Sequence, residues 1–241
     1  SFVDTAGNYG IMDVVVHEYG HSCIFDVQPG WGMNDTQGVH EGGAIHEGFG
    51  DYLALSFYGE KGNATYLSVP SQKAALGEWS LISAAGLRNA ENTKNYNTDW
   101  DTNSGPGGTP EVHMNGEIWM GALWDLRKLL VIKYGVPLGP KICDELVFTA
   151  LMGAPSPNCT FKQMAQEIFK ADQALNNGVN LPEIIQVFGN RGIATSADFP
   201  AITGFPDLVA GNYGERNVGY QNNISAFAGG VELGTATDNT Y

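Results

Sequence analysis

The sequence predicts a mainly α-helical body with irregular loops and few short strands. Three observations carry that expectation. Residues 11–26 form an apolar run at helical spacing. Four later stretches, 115–134, 140–152, 160–175 and 181–188, repeat apolar residues at the same period. The intervals between them are rich in Gly, Asn, Ser and Asp, which favour turns over continuous elements.

Taken in order, the first helix, IMDVVVHEYGHSCIFD, is apolar over most of its surface, so it is expected to be largely buried and its polar residues need a purpose. From Val27 to Gly43 the chain carries Pro29, five glycines and Asn34-Asp35, a loop that returns it toward that helix. A second helix follows at about 44–57, again with charged residues inside an apolar pattern. Residues 59–110 read as a long irregular excursion holding one short helix around Ser71 to Leu76. In the helical stretches that follow, Asn180 is expected to cap the last, with Pro182 in its first turn. From Thr195 onward the chain is rich in Gly and Asn with little period, and strands, a linker and a flexible tail are all compatible with it. The expected division is therefore a body over 1–194, with its helical lobe at 113–194, and a tail over 195–241.

The 241 residues suffice for a well-buried core, and 43% of them are hydrophobic. Twelve Lys and Arg stand against 26 Asp and Glu, for a net charge of -14. Such a chain repels nucleic acid and anionic membranes, and no stretch reaches the roughly 20 continuous apolar residues that span a bilayer. Neither nucleic acid nor a membrane is an expected partner. The chain begins at Ser1 with no basic, apolar leader, so a signal peptide, propeptide or preceding domain is expected to have been removed. Cys23, Cys143 and Cys159 form no zinc-finger spacing; Cys143 and Cys159 are candidates for one disulfide, against two independent core thiols. Asn-x-Ser/Thr triplets at Asn34, Asn63, Asn158 and Asn223 agree with secretion where the source glycosylates.

His17-Glu18-Tyr19-Gly20-His21 has the form HExxH. On a helix of about 3.6 residues per turn the two imidazoles sit about 40° apart on one face, and Glu18 lies about 60° round from His21. Both imidazoles can meet one ion, and Glu18 can serve as a base beside it. A catalytic zinc takes three protein ligands and keeps a fourth position open, so another ligand is required. The second helix offers Glu47 and Asp51, four apart on one face of Glu41-Gly-Gly-Ala-Ile-His46-Glu47-Gly-Phe-Gly-Asp51. One acid can bind metal while the other orients a ligand histidine through its second nitrogen. The alternative, a solvated acidic stripe, sits poorly with the apolar residues around them.

These two segments resemble the zinc metallopeptidases of the thermolysin-like and fungalysin-like families, gluzincins that pair HExxH with Glu-x-x-x-Asp on the next helix. EGGAIHEGFGD is similar to the fungalysin form ESGGMGEGWSD, and the long interval from His17 to Glu47 also resembles fungalysins. The resemblance covers residues 10–194 and implies the helical C-terminal lobe of a thermolysin-like fold. It implies one catalytic zinc held by His17, His21 and Glu47, with Glu18 as acid/base and Asp51 orienting His17. His46 falls where thermolysin has Asn and fungalysins Gly, and is compatible with an orienting, a solvent-facing or a rival-ligand role. Gly86-Leu87-Arg88-Asn89 resembles the segment whose arginine contacts substrate; Arg88 is that candidate, against an ordinary surface arginine. Val14 and Leu87 match positions lining a substrate pocket, implying an apolar residue after the scissile bond. Glu111-Val112-His113-Met114-Asn115-Gly116-Glu117 resembles the fungalysin VHxxGE segment, making His113 the candidate for oxyanion stabilisation, against a cap or core residue. The thermolysin-like oxyanion tyrosine falls near Gly38 and is absent. Calcium is a second candidate cofactor: Asp13 matches one calcium carboxylate of thermolysins, whereas Tyr58 stands at another. The implied activity is secreted zinc endopeptidase action on proteins or peptides. The alternatives are a zinc aminopeptidase, for which no GxMEN-like motif is present, and a silent fragment. In those families an N-terminal lobe carries the substrate-binding edge strand, so such a lobe or a propeptide is an expected partner.

Overall fold

The computed structural model describes residues 12–32, 40–59, 75–77, 87–199, 224–228 and 231–236. Within them lie α1 (Met12–Val27), α2 (Glu41–Gly59), β1 (Ala75–Leu76), β2 (Arg88–Asn89), α3 (Tyr96–Asp99), α4 (Val112–Tyr134), α5 (Leu138–Gly153), α6 (Phe161–Asn176), α7 (Leu181–Asn190), β3 (Ile224–Ala228) and β4 (Val231–Ala236). The fold is mainly α, and each predicted long helix is present within a few residues of its expected bounds.

The helix α2 is central: it packs against α1 on one side and α4 on the other, and α4 continues the body through α5 and α7. The core between them is aromatic. Trp119 of α4 stacks on Phe188 of α7 at 5.6 Å and meets Phe161 of α6 at 5.2 Å, and all three rings are buried. Burying side chains of this size contributes the largest share of the stability of such a body. Polar ties fix how α2 is rotated. Near its C-terminal end, Tyr52 Oη and Ser56 Oγ donate to Asp144 of α5 at 2.7 and 2.9 Å. At its N-terminal end the buried Glu41 accepts from Tyr96 Oη and from the Phe161 backbone N–H. With both ends held, one face of α2 is turned toward α1.

Glycines set how closely the helices approach. A Cβ on Gly20 would lie 2.9 Å from the Gly50 Cα, and one on Gly50 would lie 2.9 Å from His17 Nδ1. A Cβ on Gly48 would collide with the Gly116 carbonyl oxygen and lie 3.0 Å from Trp119 Cβ. The seam α1–α2–α4 is thus a contact of backbones. Gly48→Ala is expected to cost about 2 kcal/mol in urea unfolding, because overpacking against a fixed carbonyl outweighs the ~1 kcal/mol that Ala gains in a helix. A variant as stable as the parent would show that the helices separate without penalty.

Two expectations are corrected. Ala75 and Leu76 are not helical but pair antiparallel with Asn89 and Arg88; both are buried, and pairing across the excursion overrides the local helical preference. Ser71 to Ala74 lie outside the described residues. Asn180 occupies the N-cap position of α7 without a side-chain cap bond. Its side chain donates instead to Asp172 at 2.7 Å and accepts from Tyr134 Oη at 2.7 Å. Of the two readings of Cys143 and Cys159, independent core thiols are present: both are buried and free, and Cys23 is also free. Of the three readings of the tail, strands are present: β3 and β4 form an antiparallel pair with an irregularity between Ala226 and Phe227. Asn34, Gly38, Asn63, Gly86 and Asn223 fall outside the described residues, as does the Tyr58 side chain.

Candidate metal centre

The backbone seam puts the facing side chains of α1 and α2 in contact. Among the described residues, His17, His21 and Glu47 bring one ligand atom each to within 4.8 Å of one another. His17 Nε2 lies 3.3 Å from Glu47 Oε2, and His21 Nε2 lies 3.7 Å from Glu47 Oε1. The two imidazoles meet edge-on at 4.6 Å. Glu47 Oε2 is buried, and its polar neighbours are His17 Nε2 and His113 Nε2, each 3.3 Å away.

The far side of His17 is held as well. Its Nδ1 is 2.7 Å from Asp51 Oδ1, and Asp51 is fully buried. Arg88 closes a bidentate fork on the same carboxylate, Nε to Oδ2 at 2.5 Å and Nη2 to Oδ1 at 2.6 Å. Arg88 is thereby tied to the carboxylate that holds His17. Beyond it, His113 at the start of α4 points Nε2 to within 3.3 Å of Glu47 Oε2, while its Nδ1 lies 2.7 Å from Glu111 Oε1. Glu111 is a residue that sequence reasoning quoted without assigning. The signal was available: an acid at a helix N-cap, two residues before a candidate histidine.

Charges follow from these contacts. Burial alone would lower the His17 pKa, but the Asp51 and Glu47 carboxylates outweigh it and hold it at about 9. Burial would raise the Asp51 carboxyl, yet His17 and Arg88 bring it below its usual range. Glu47 is also lowered, against its burial, by His17, His113 and His21. Burial and then the neighbouring His17 lower His21. A divalent cation held by these residues would take the imidazole lone pair and displace its proton.

His46, left open between three roles by the sequence, is buried beside His21, with Nδ1 to Nδ1 at 2.5 Å. Burial, then His21, pushes its pKa down to about 4. Glu18 and Tyr19 are exposed on α1, Val14 is half-buried there and Leu87 is exposed beside β2. No hydrogen bond or ion pair joins Glu18, Val14 or Leu87 to the cluster among the described residues, though the Glu18 charge acts on His21. Asp13 is buried, its carboxylate accepting from the Gly77 N–H at 2.7 Å, which ties the end of β1 to α1.

The sequence profile of the fungalysin metallopeptidase family matches residues 10–197. The chain belongs to that family. Among its curated relatives, an extracellular metalloproteinase of Aspergillus flavus is 28% identical over 202 residues, covering 78% of this chain and 31% of that protein. Extracellular metalloproteinase 2 of Arthroderma gypseum is 26% identical over 196 residues, or 76% of this chain and 30% of the relative. An extracellular metalloproteinase of Neosartorya fischeri is 26% identical over 202 residues, 77% and 30% of the two chains. This fungalysin chain therefore spans about a third of the length of the relatives it matches.

Proposed function

We propose that this chain is the metal-bearing part of a secreted zinc-dependent endopeptidase, with zinc held by His17, His21 and Glu47. The observation that carries the reading is the convergence of two imidazole nitrogens and a partly buried carboxylate from two closely packed helices. Two nitrogens and one oxygen are the donor set of a catalytic zinc that keeps an open position. Zinc, when bound there, supplies a Lewis acid that polarises a peptide carbonyl and acidifies a water.

The rest is done by side chains. Glu18, exposed next to the first ligand, takes the proton from the attacking water and delivers it to the leaving amine nitrogen. His113 presents Nε2 to the developing oxyanion, its other nitrogen steadied by Glu111. Arg88 commits Nε and Nη2 to Asp51, which leaves Nη1 for a substrate carbonyl and holds the fork rigid. Asp51 orients His17. Val14 and Leu87 stand at positions that line the pocket for the residue after the scissile bond in thermolysin-like enzymes, which accords with an apolar preference there. Proteins or peptides are the substrates, and secretion accords with relatives named as extracellular. A lobe contributed by further polypeptide would complete the cleft.

The test is metal content together with casein hydrolysis. One equivalent of zinc is expected to survive dialysis, and cleavage of casein and of N-terminally blocked peptides is expected to stop with a chelator and return with zinc. Cleavage indifferent to chelator, or no zinc retained, would overturn the reading. Failure on blocked peptides alone would point to an aminopeptidase, and bound zinc with no cleavage to a silent fragment.

A further inference from the structure

Resting on the metal site just proposed, we infer that His46 is a positioning residue: its Nδ1 accepts the Nδ1–H of His21 and so selects the tautomer of that ligand. His46 precedes Glu47 on α2, and its side chain points back toward α1 rather than to solvent. Its Nδ1 lies 2.5 Å from His21 Nδ1, and the two rings are tilted by 34° with centroids 4.4 Å apart. Phe25, one turn further along α1, contacts the His46 ring at 4.7 Å and limits its rotation. His46 Nε2 is buried with no hydrogen-bond partner among the described residues, so Nδ1 is the ring atom that carries its polar contact.

Two ring nitrogens at this distance share one proton. If both carried one the N–H groups would clash, and if neither did two lone pairs would face each other. The proton can sit on either ring, and the two choices differ at the metal. With the proton on His46, the proton of a neutral His21 moves to Nε2, aimed at Glu47 Oε1 at 3.7 Å, and His21 has no lone pair for an ion. With the proton on His21 Nδ1, Nε2 presents its lone pair toward Glu47, and His46 carries its own proton on Nε2. Metal binding requires the second arrangement. The two histidine ligands are thus held differently: His17 by the Asp51 anion, His21 by a neutral acceptor.

The test compares wild type, His46→Phe, His46→Asn and, as a control for the site itself, His17→Ala. Each metal-free protein is titrated with zinc against a chromophoric chelator, and circular dichroism and melting temperature are recorded before loading. Phe keeps a ring beside Phe25 but offers no acceptor, and is expected to weaken zinc about 10- to 100-fold. Asn places its Oδ1 where Nδ1 stood and is expected to restore affinity to within about threefold of wild type. A purely structural role for His46 would move melting temperature, not this difference between two folded variants. Should the Phe variant fail to fold, His46→Leu against His46→Asn gives the same contrast. Zinc bound by folded His46→Phe as tightly as by wild type overturns the inference while leaving the site standing. X-ray absorption showing one more imidazole on zinc in wild type than in His46→Phe overturns it too, because His46 would then be a ligand. Zinc binding that survives His17→Ala intact means instead that the site is elsewhere.

Discussion

Glu18→Gln is expected to leave zinc content unchanged and to lower kcat for peptide hydrolysis by about 10²- to 10⁴-fold, the range that removal of a general acid/base produces. Glu18 is exposed on α1 and makes no side-chain hydrogen bond among the described residues, so its amide is isosteric and costs little stability. His17, His21 and Glu47 are untouched, which is why metal content and hydrolysis are expected to part company. The measurements are zinc per chain by mass spectrometry, the unfolding midpoint, and kcat and KM on a blocked peptide. A loss confined to KM would assign Glu18 to substrate binding, and full activity in the Gln variant would remove it from the mechanism.

Asp51→Ala is expected to weaken zinc about 10- to 100-fold and to destabilise the metal-free protein by about 3 kcal/mol. Both effects have one origin. The carboxylate is fully buried and holds His17 Nδ1 on one oxygen and both donors of the Arg88 fork across the two. Removing it leaves a guanidinium in a site where its side chain is only 20% exposed, and the residual water access keeps the cost at the low end of that for a stranded buried charge. It also frees the His17 ring to rotate. Zinc competition and urea unfolding read the two effects separately. Arg88→Ala, by contrast, should retain zinc, because the contact from Asp51 to His17 survives. Zinc affinity unchanged in Asp51→Ala would reduce Asp51 to a structural anchor for Arg88.

What the sequence disclosed and what it withheld divide along a physical line. Patterns internal to one helix were legible, since the spacing of His17 and His21, or of Glu47 and Asp51, is converted to a shared face by the helical period alone. The mainly α fold was legible for the same reason. Contacts between distant segments were not. The short helix expected around Ser71 to Leu76 was displaced where Ala75 and Leu76 pair with Asn89 and Arg88, a bond no local propensity reports. Asn180 has the residue type and position of a cap, yet Asp172 takes its side chain. The start of α2 came earlier than its apolar pattern because Glu41 is anchored by Tyr96 and Phe161, which lie far along the chain. His46 was ambiguous because its role depends on whether it faces α1 or solvent, which is set by packing of α2 between two neighbours.

Glu111 links the start of a helix to the readiness of the site. One of its oxygens contacts His113 Nδ1 and the other accepts the Met114 N–H, each at 2.7 Å. The carboxylate that caps the first turn of α4 is therefore also the one in contact with the imidazole. Fraying of that turn would release the Glu111 contact to His113 as well, so in the proposed mechanism helix capping and the alignment of His113 are expected to be lost together.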